Sequence, residues 1–173
     1  MTPKRIPSRR TVSLVAAAWV LALGFDFLLH GGLLARLYAG ESAFLLPPEA
    51  AFARIPAGYL TFLLLTVGLL WLFRRLDVRG WREGAGTGLA VGLYLWATMA
   101  LGLWSITTAE TPTLVGWSLG QGVELGLVGA VLGAGRGGAP LRGLWFRVVG
   151  AVLAFVIAAV VLQNVGWAPT AQL

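Results

Sequence analysis

Apolar residues fall in five long runs, 12–34, 56–73, 85–106, 112–134 and 144–162, separated by short polar or basic connections. A helix of about 20 mostly apolar residues crosses the roughly 30 Å of bilayer hydrocarbon. Each run is therefore predicted to be a transmembrane helix. Pro47, Pro48 and Pro56 punctuate the first connection, Pro112 opens the fourth run, and Pro140 and Pro169 bracket the fifth, as expected of a residue that interrupts helices. The predicted fold class is an all-α membrane protein, a five-helix bundle occupying 1–173 as a single domain, with a basic tail over 1–11.

The basic residues give this ladder a direction. Lys4, Arg5, Arg9 and Arg10 precede the first run, Arg74, Arg75, Arg79 and Arg82 lie around the second connection, and Arg136, Arg142 and Arg147 around the fourth. With five spans these eleven of the 13 basic residues share one face, and only Arg36 and Arg54 lie on the other. The positive-inside rule then puts the N-terminus in the cytoplasm and the C-terminus on the periplasmic or extracellular side of a bacterial inner membrane. The stretch Ser8-Arg9-Arg10-Thr11-Val12-Ser13-Leu14 has the form of a twin-arginine export signal. The apolar run behind it is longer than a signal core, and Ala16 to Ala18 come too early to be a cleavage site, so a retained helix is expected. Trp71, Trp104, Trp145 and Trp167 fall near run ends, where indoles favour the interface.

Composition removes the alternatives. Of 173 residues, 58% are hydrophobic and 12% charged, and the mean hydropathy is +0.82. That is too little charge to cover a water-facing globule and too much hydrophobicity for disorder. There is no cysteine, which excludes disulfides, thiolate metal sites and cysteine nucleophiles. A single histidine excludes bis-histidine haem within one chain. The net charge of +6 belongs to the connections, so it reads as contact with anionic head groups, and no nucleic-acid partner is expected.

In lipid, helices associate by close packing and interhelical hydrogen bonds. The 24 glycines are about twice the usual share. Gly88 and Gly92 in the third run, and the pairs Gly116–Gly120, Gly122–Gly126 and Gly129–Gly133 in the fourth, have the spacing that lets backbones approach. These two runs are the expected core of the bundle, or of a homodimer. The segment Gly84-Ala85-Gly86-Thr87-Gly88 lacks the Lys and Ser/Thr of a phosphate loop and opens a membrane helix, so it too reads as packing.

Four polar residues stand out inside the runs: Asp26 and His30 in the first, Gln121 and Glu124 in the fourth. An ionisable group in hydrocarbon costs about 2.5–3.5 kcal/mol on insertion scales. Asp26 and His30 are four residues apart and Gln121 and Glu124 three, so each pair shares a helix face. Counting about 1.5 Å per residue puts Asp26 level with Gln121, Glu124 just deeper and His30 near the outer mouth, with Thr66, Tyr94 and Thr98 near mid-depth on their own helices. Two carboxylates in low dielectric do not both stay ionised cheaply, so a shared proton with histidine as relay follows if they meet. Asp26, His30 and Glu124 are zinc-type ligands without a supporting motif, and no metal or cofactor is expected.

No catalytic order or nucleotide loop is present, so the chain is expected not to be an enzyme. The first expectation is an accessory or structural membrane subunit whose partners are the bilayer and another membrane subunit or a second copy, with the polar groups as interhelical glue. The alternative is a proton-coupled or cation-binding or permeation protein using Asp26, His30, Gln121 and Glu124.

Overall fold

The computed structural model describes residues 8–38 and 44–168; Lys4 and Arg5 of the basic tail, and Pro169, lie outside them. With no water to satisfy backbone groups in hydrocarbon, each crossing segment must bond to itself, and every apolar run is a helix. The elements are α1 (Ser8–Leu28), a π-helical turn (Leu29–Leu33), a 3-10 turn (Ala35–Tyr38), α2 (Pro48–Phe52), α3 (Ile55–Arg75), α4 (Trp81–Ile106), α5 (Thr111–Arg136) and α6 (Leu141–Asn164). Five helices, counting α1 together with the π turn, are long and apolar enough to cross a membrane, and the described residues contain no strand.

Two features lie outside the sequence expectation. The helices outrun their apolar cores, most at the basic ends. α4 begins at Trp81 rather than 85, and α6 at Leu141 rather than 144, because backbone hydrogen bonding continues into the polar interface. The first span does not stay α-helical. The Leu34 amide donates to the Leu29 carbonyl at 2.8 Å, a five-residue step, and the turn so widened contains His30 and Gly31-Gly32.

α1 and α5 form the centre. α5 pairs antiparallel with α4 along its glycines, backbone against backbone. A Cβ on Gly84 would strike the Gly129 carbonyl, one on Gly88 the Leu125 carbonyl, and one on Gly92 would come 2.9 Å from the Gly122 Cα. Gly129 and Gly133 meet the carbonyls of Gly84 and Gly80 in return, while Gly122 meets the Leu93 side chain and Gly126 lies against Leu89. Gly116 and Gly120 belong to a different face, where they receive Leu34 and Leu29 from the first span. The evenly spaced glycines of α5 therefore serve two neighbours, and Gly84, seen in sequence only as part of a glycine-rich opening, is in as close a contact as Gly88.

α6 runs parallel to α1, with Gly24 against Val152 and the Trp145 Nε1–H donating to Ser13 Oγ at 3.0 Å. α3 leans on α1 and α5. The basic end is closed by backbone contacts: the Gly80 amide donates to the Gly133 carbonyl at 2.8 Å. Arg136 Nε donates to the Val78 carbonyl at 2.8 Å, and Arg10 to the Ala139 carbonyl at 3.0 Å. Leu14, Ala17, Ala18, Leu21, Phe73, Val128 and Leu132 pack together in the adjoining half of the bundle.

Candidate functional site

The polar residues of α1 and α5 meet in the other half, in a cluster that begins at the π turn and ends at the centre of α5. α1 turns Asp26 and His30 to one face, four residues apart, with His30 Nε2 3.3 Å from Asp26 Oδ1. α5 presents Trp117, Gln121 and Glu124 at i, i+4 and i+7, one side of a helix. Gln121 Nε2 lies 3.4 Å from His30 Nε2. The Gln121 amide also neighbours the Asp26 and Glu124 carboxyls.

Beyond His30 the chain of contacts continues to the rim. The 3-10 turn folds Tyr38 back over the π turn, with its hydroxyl 2.5 Å from His30 Nδ1 and its ring stacked on the imidazole at 5.7 Å. The Trp117 Nε1–H donates to the same hydroxyl at 2.7 Å. Burial pushes Tyr38 up to about 12, so it stays a neutral hydroxyl. Indole can only donate, so the Tyr38 oxygen accepts from Trp117, which leaves its own proton available to His30 Nδ1. The remaining imidazole proton then sits on Nε2, directed at Asp26. Every partner in the sequence Trp117, Tyr38, His30, Asp26 has a matched donor and acceptor.

Glu124 ends the chain differently. Its side chain is 1% exposed, it lies about 20 Å along a 26-residue helix and so near the middle of that helix, and its Oε2 has no hydrogen-bond partner among the described residues. Buried polar atoms are paired in the large majority of cases. An orphaned carboxylate oxygen facing its cluster has the chemistry to accept a proton or a small cation.

The widened turn is held by the C-terminal segment. Gln163 Nε2 donates to the Gly31 carbonyl at 2.9 Å. Arg36 donates to the carbonyls of Trp167, at 2.5 Å, and Gly166, with its guanidinium 4.4 Å over the Trp167 ring. Trp167 thus clamps the rim, as well as marking it.

Three further polar groups at mid-depth take no part. Thr66 is buried, but its hydroxyl donates to the Phe62 carbonyl of its own helix at 2.8 Å. Tyr94 is 72% exposed, and Thr98 bonds back to the Tyr94 carbonyl; both lie on the outer face of α4, where depth alone cannot bring them inward. Among the described residues no group of three His, Cys, Asp or Glu side chains could hold a metal ion. Asp26, His30 and Glu124, zinc-type by residue, are thus not gathered as a ligand set. Tyr38 and Trp117 were absent from the sequence-derived set, although the spacing of Trp117 from Gln121 was a usable signal.

No protein-family model, curated protein or solved structure matches the chain.

Proposed function

We propose that the chain is a small, non-enzymatic, multi-pass subunit of a bacterial inner membrane whose α1–α5 cluster is a one-sided site for a proton or a small cation. The observation that carries this reading is the buried Glu124 Oε2, without a partner among the described residues, at the inner end of a row of hydrogen-bonding groups. Charge placed there has to be matched by a proton or a cation, because an isolated carboxylate in low dielectric is prohibitively costly. The row from Trp117 and Tyr38 supplies the route, and a π turn around a histidine is a distortion often met at functional sites.

The site is one-sided. Between Glu124 and the basic end stand Leu21, Ala18, Leu14, Val128, Leu132 and Phe73, all buried and apolar. A proton reaching Glu124 has no onward partner, which favours loading and release over conduction. The basic residues put that sealed end in the cytoplasm by the positive-inside rule, so the site faces the periplasm. Loading changes the charge between two central helices, and a partner subunit packed on the bundle would sense it.

The test is a proton titration of the purified protein against a folded Asp26→Asn/Glu124→Gln variant over about pH 4–9, the range spanning ordinary and buried carboxyls. The wild type takes up at least one proton more than the variant loses through ordinary surface groups. Identical curves would reduce the cluster to interhelical glue.

A further inference from the structure

A groove runs between α3 and α4, two helices that make no extended contact with each other. It has a volume of about 420 Å³ and is apolar, with Leu64, Gly68 and Leu72 on one wall, Val91 and Leu95 on the other, and Leu125 of α5 as its floor. On α3 it reaches from Thr61 to Leu72, about 16 Å, roughly the depth of one leaflet.

The end of the slot is not apolar. Trp71 closes it, and the Arg75 guanidinium lies 5.6 Å over the Trp71 ring. Across the short α3–α4 connection, the Arg82 guanidinium lies 5.2 Å over Trp81. Both arginines are exposed at the basic end of the bundle, and neither has an acidic partner among the described residues. Their neighbours are engaged elsewhere: Arg79 pairs with Asp77 at 2.9 Å, Glu83 accepts from the Arg79 amide at 2.9 Å, and Arg74 donates to Thr11. Arginine held on an aromatic face keeps its donors free for phosphate.

We propose that this groove holds one acyl chain of an anionic phospholipid from the leaflet at the basic end, with the phosphate bound by Arg75, which lies over Trp71 at the groove's end. The site is separate from the α1–α5 cluster. Occupation fills the gap between α3 and α4 and completes a wall that the protein leaves open.

Gly68 makes the test clean, because it lines the groove and a Cβ there meets nothing within 4 Å, so Gly68→Leu puts its side chain into the slot. The full-length protein is released from bilayers of phosphatidylglycerol mixed equally with phosphatidylcholine, and retained lipids are counted by native mass spectrometry. The wild type keeps phosphatidylglycerol about fivefold in preference to phosphatidylcholine, the selectivity that one arginine near an anionic head group supplies. Arg75→Gln removes the preference while lipid is still retained. Gly68→Leu, with unchanged circular dichroism, loses the retained lipid of both kinds. Equal retention of the two lipids by the wild type, or wild-type retention by Gly68→Leu, would overturn the proposal. So would ready disulfide dimers of a Gly68→Cys variant in the bilayer, since the chain has no other cysteine and a second helix would then occupy the slot.

Discussion

His30 Nδ1 lies 2.5 Å from the Tyr38 hydroxyl, joined across a π turn that a straight α-helix would not contain. With the Tyr38 proton donated to Nδ1, the histidine carries its own on Nε2, the arrangement in which a proton would pass toward Asp26 and Glu124. Because His30 is the single histidine of the chain, its ring can be observed without assignment. Imidazole ¹⁵N chemical shifts should report the Nε2–H tautomer in the wild type. Tyr38→Phe deletes the donor to Nδ1 and should give a mixture of tautomers; an unchanged spectrum would contradict the proposed row of donors and acceptors.

Glu124 and Gln121 should respond in opposite senses to loss of their polar groups. Glu124→Gln keeps the shape and replaces an unpartnered carboxylate by a neutral amide, so the melting temperature in detergent should hold or rise. Gln121→Leu removes the amide that reaches both carboxyls and leaves buried acceptors unsatisfied, at about 1–3 kcal/mol. Its melting temperature should fall. Equal losses in both would mean that the cluster is held mainly by packing.

The glycine contacts separate by what a methyl group would meet. At Gly129 an added Cβ runs into the Gly84 carbonyl, whereas at Gly86 it meets nothing within 4 Å. Gly129→Ala should cost about 1–3 kcal/mol, the range for overpacking, and Gly86→Ala should be neutral or stabilising, as glycine in a helix generally is to replace. Thermal melts of the two variants in one detergent decide it. Equal destabilisation would remove the backbone-contact account of the α4–α5 pair.

The orientation proposed from the basic residues has its own check. A reporter fused after Leu173 should read as periplasmic. A cytoplasmic signal would reverse the side from which the site is loaded.

How much of this was legible beforehand depends on what lipid can and cannot select. The five spans stood out because crossing hydrocarbon demands long unbroken apolar runs, and Asp26, His30, Gln121 and Glu124 stood out because charge there is costly. The facing of each helix was hidden, since lipid and protein interior are equally apolar and impose no amphipathic period. Tyr94 and Thr98 therefore shared a depth with the cluster while lying on the outer face of α4. The glycine spacing on α5 likewise did not tell that Gly116 and Gly120 serve α1 while Gly122 to Gly133 serve α4. The π turn had no period of its own to betray it, and Tyr38 reaches the cluster only because that turn and the 3-10 turn after it fold the chain back.

The central claim is that Glu124 is a loading site open to one face. Infrared difference spectra of the protein oriented in vesicles, taken as the pH on the Tyr38 side is stepped downward, test it most directly. A protonated-carboxyl band should grow on that step, stay absent when only the opposite side is acidified, and vanish in Glu124→Gln. A band that persists unchanged in Glu124→Gln, or no band from either side, would contradict the account.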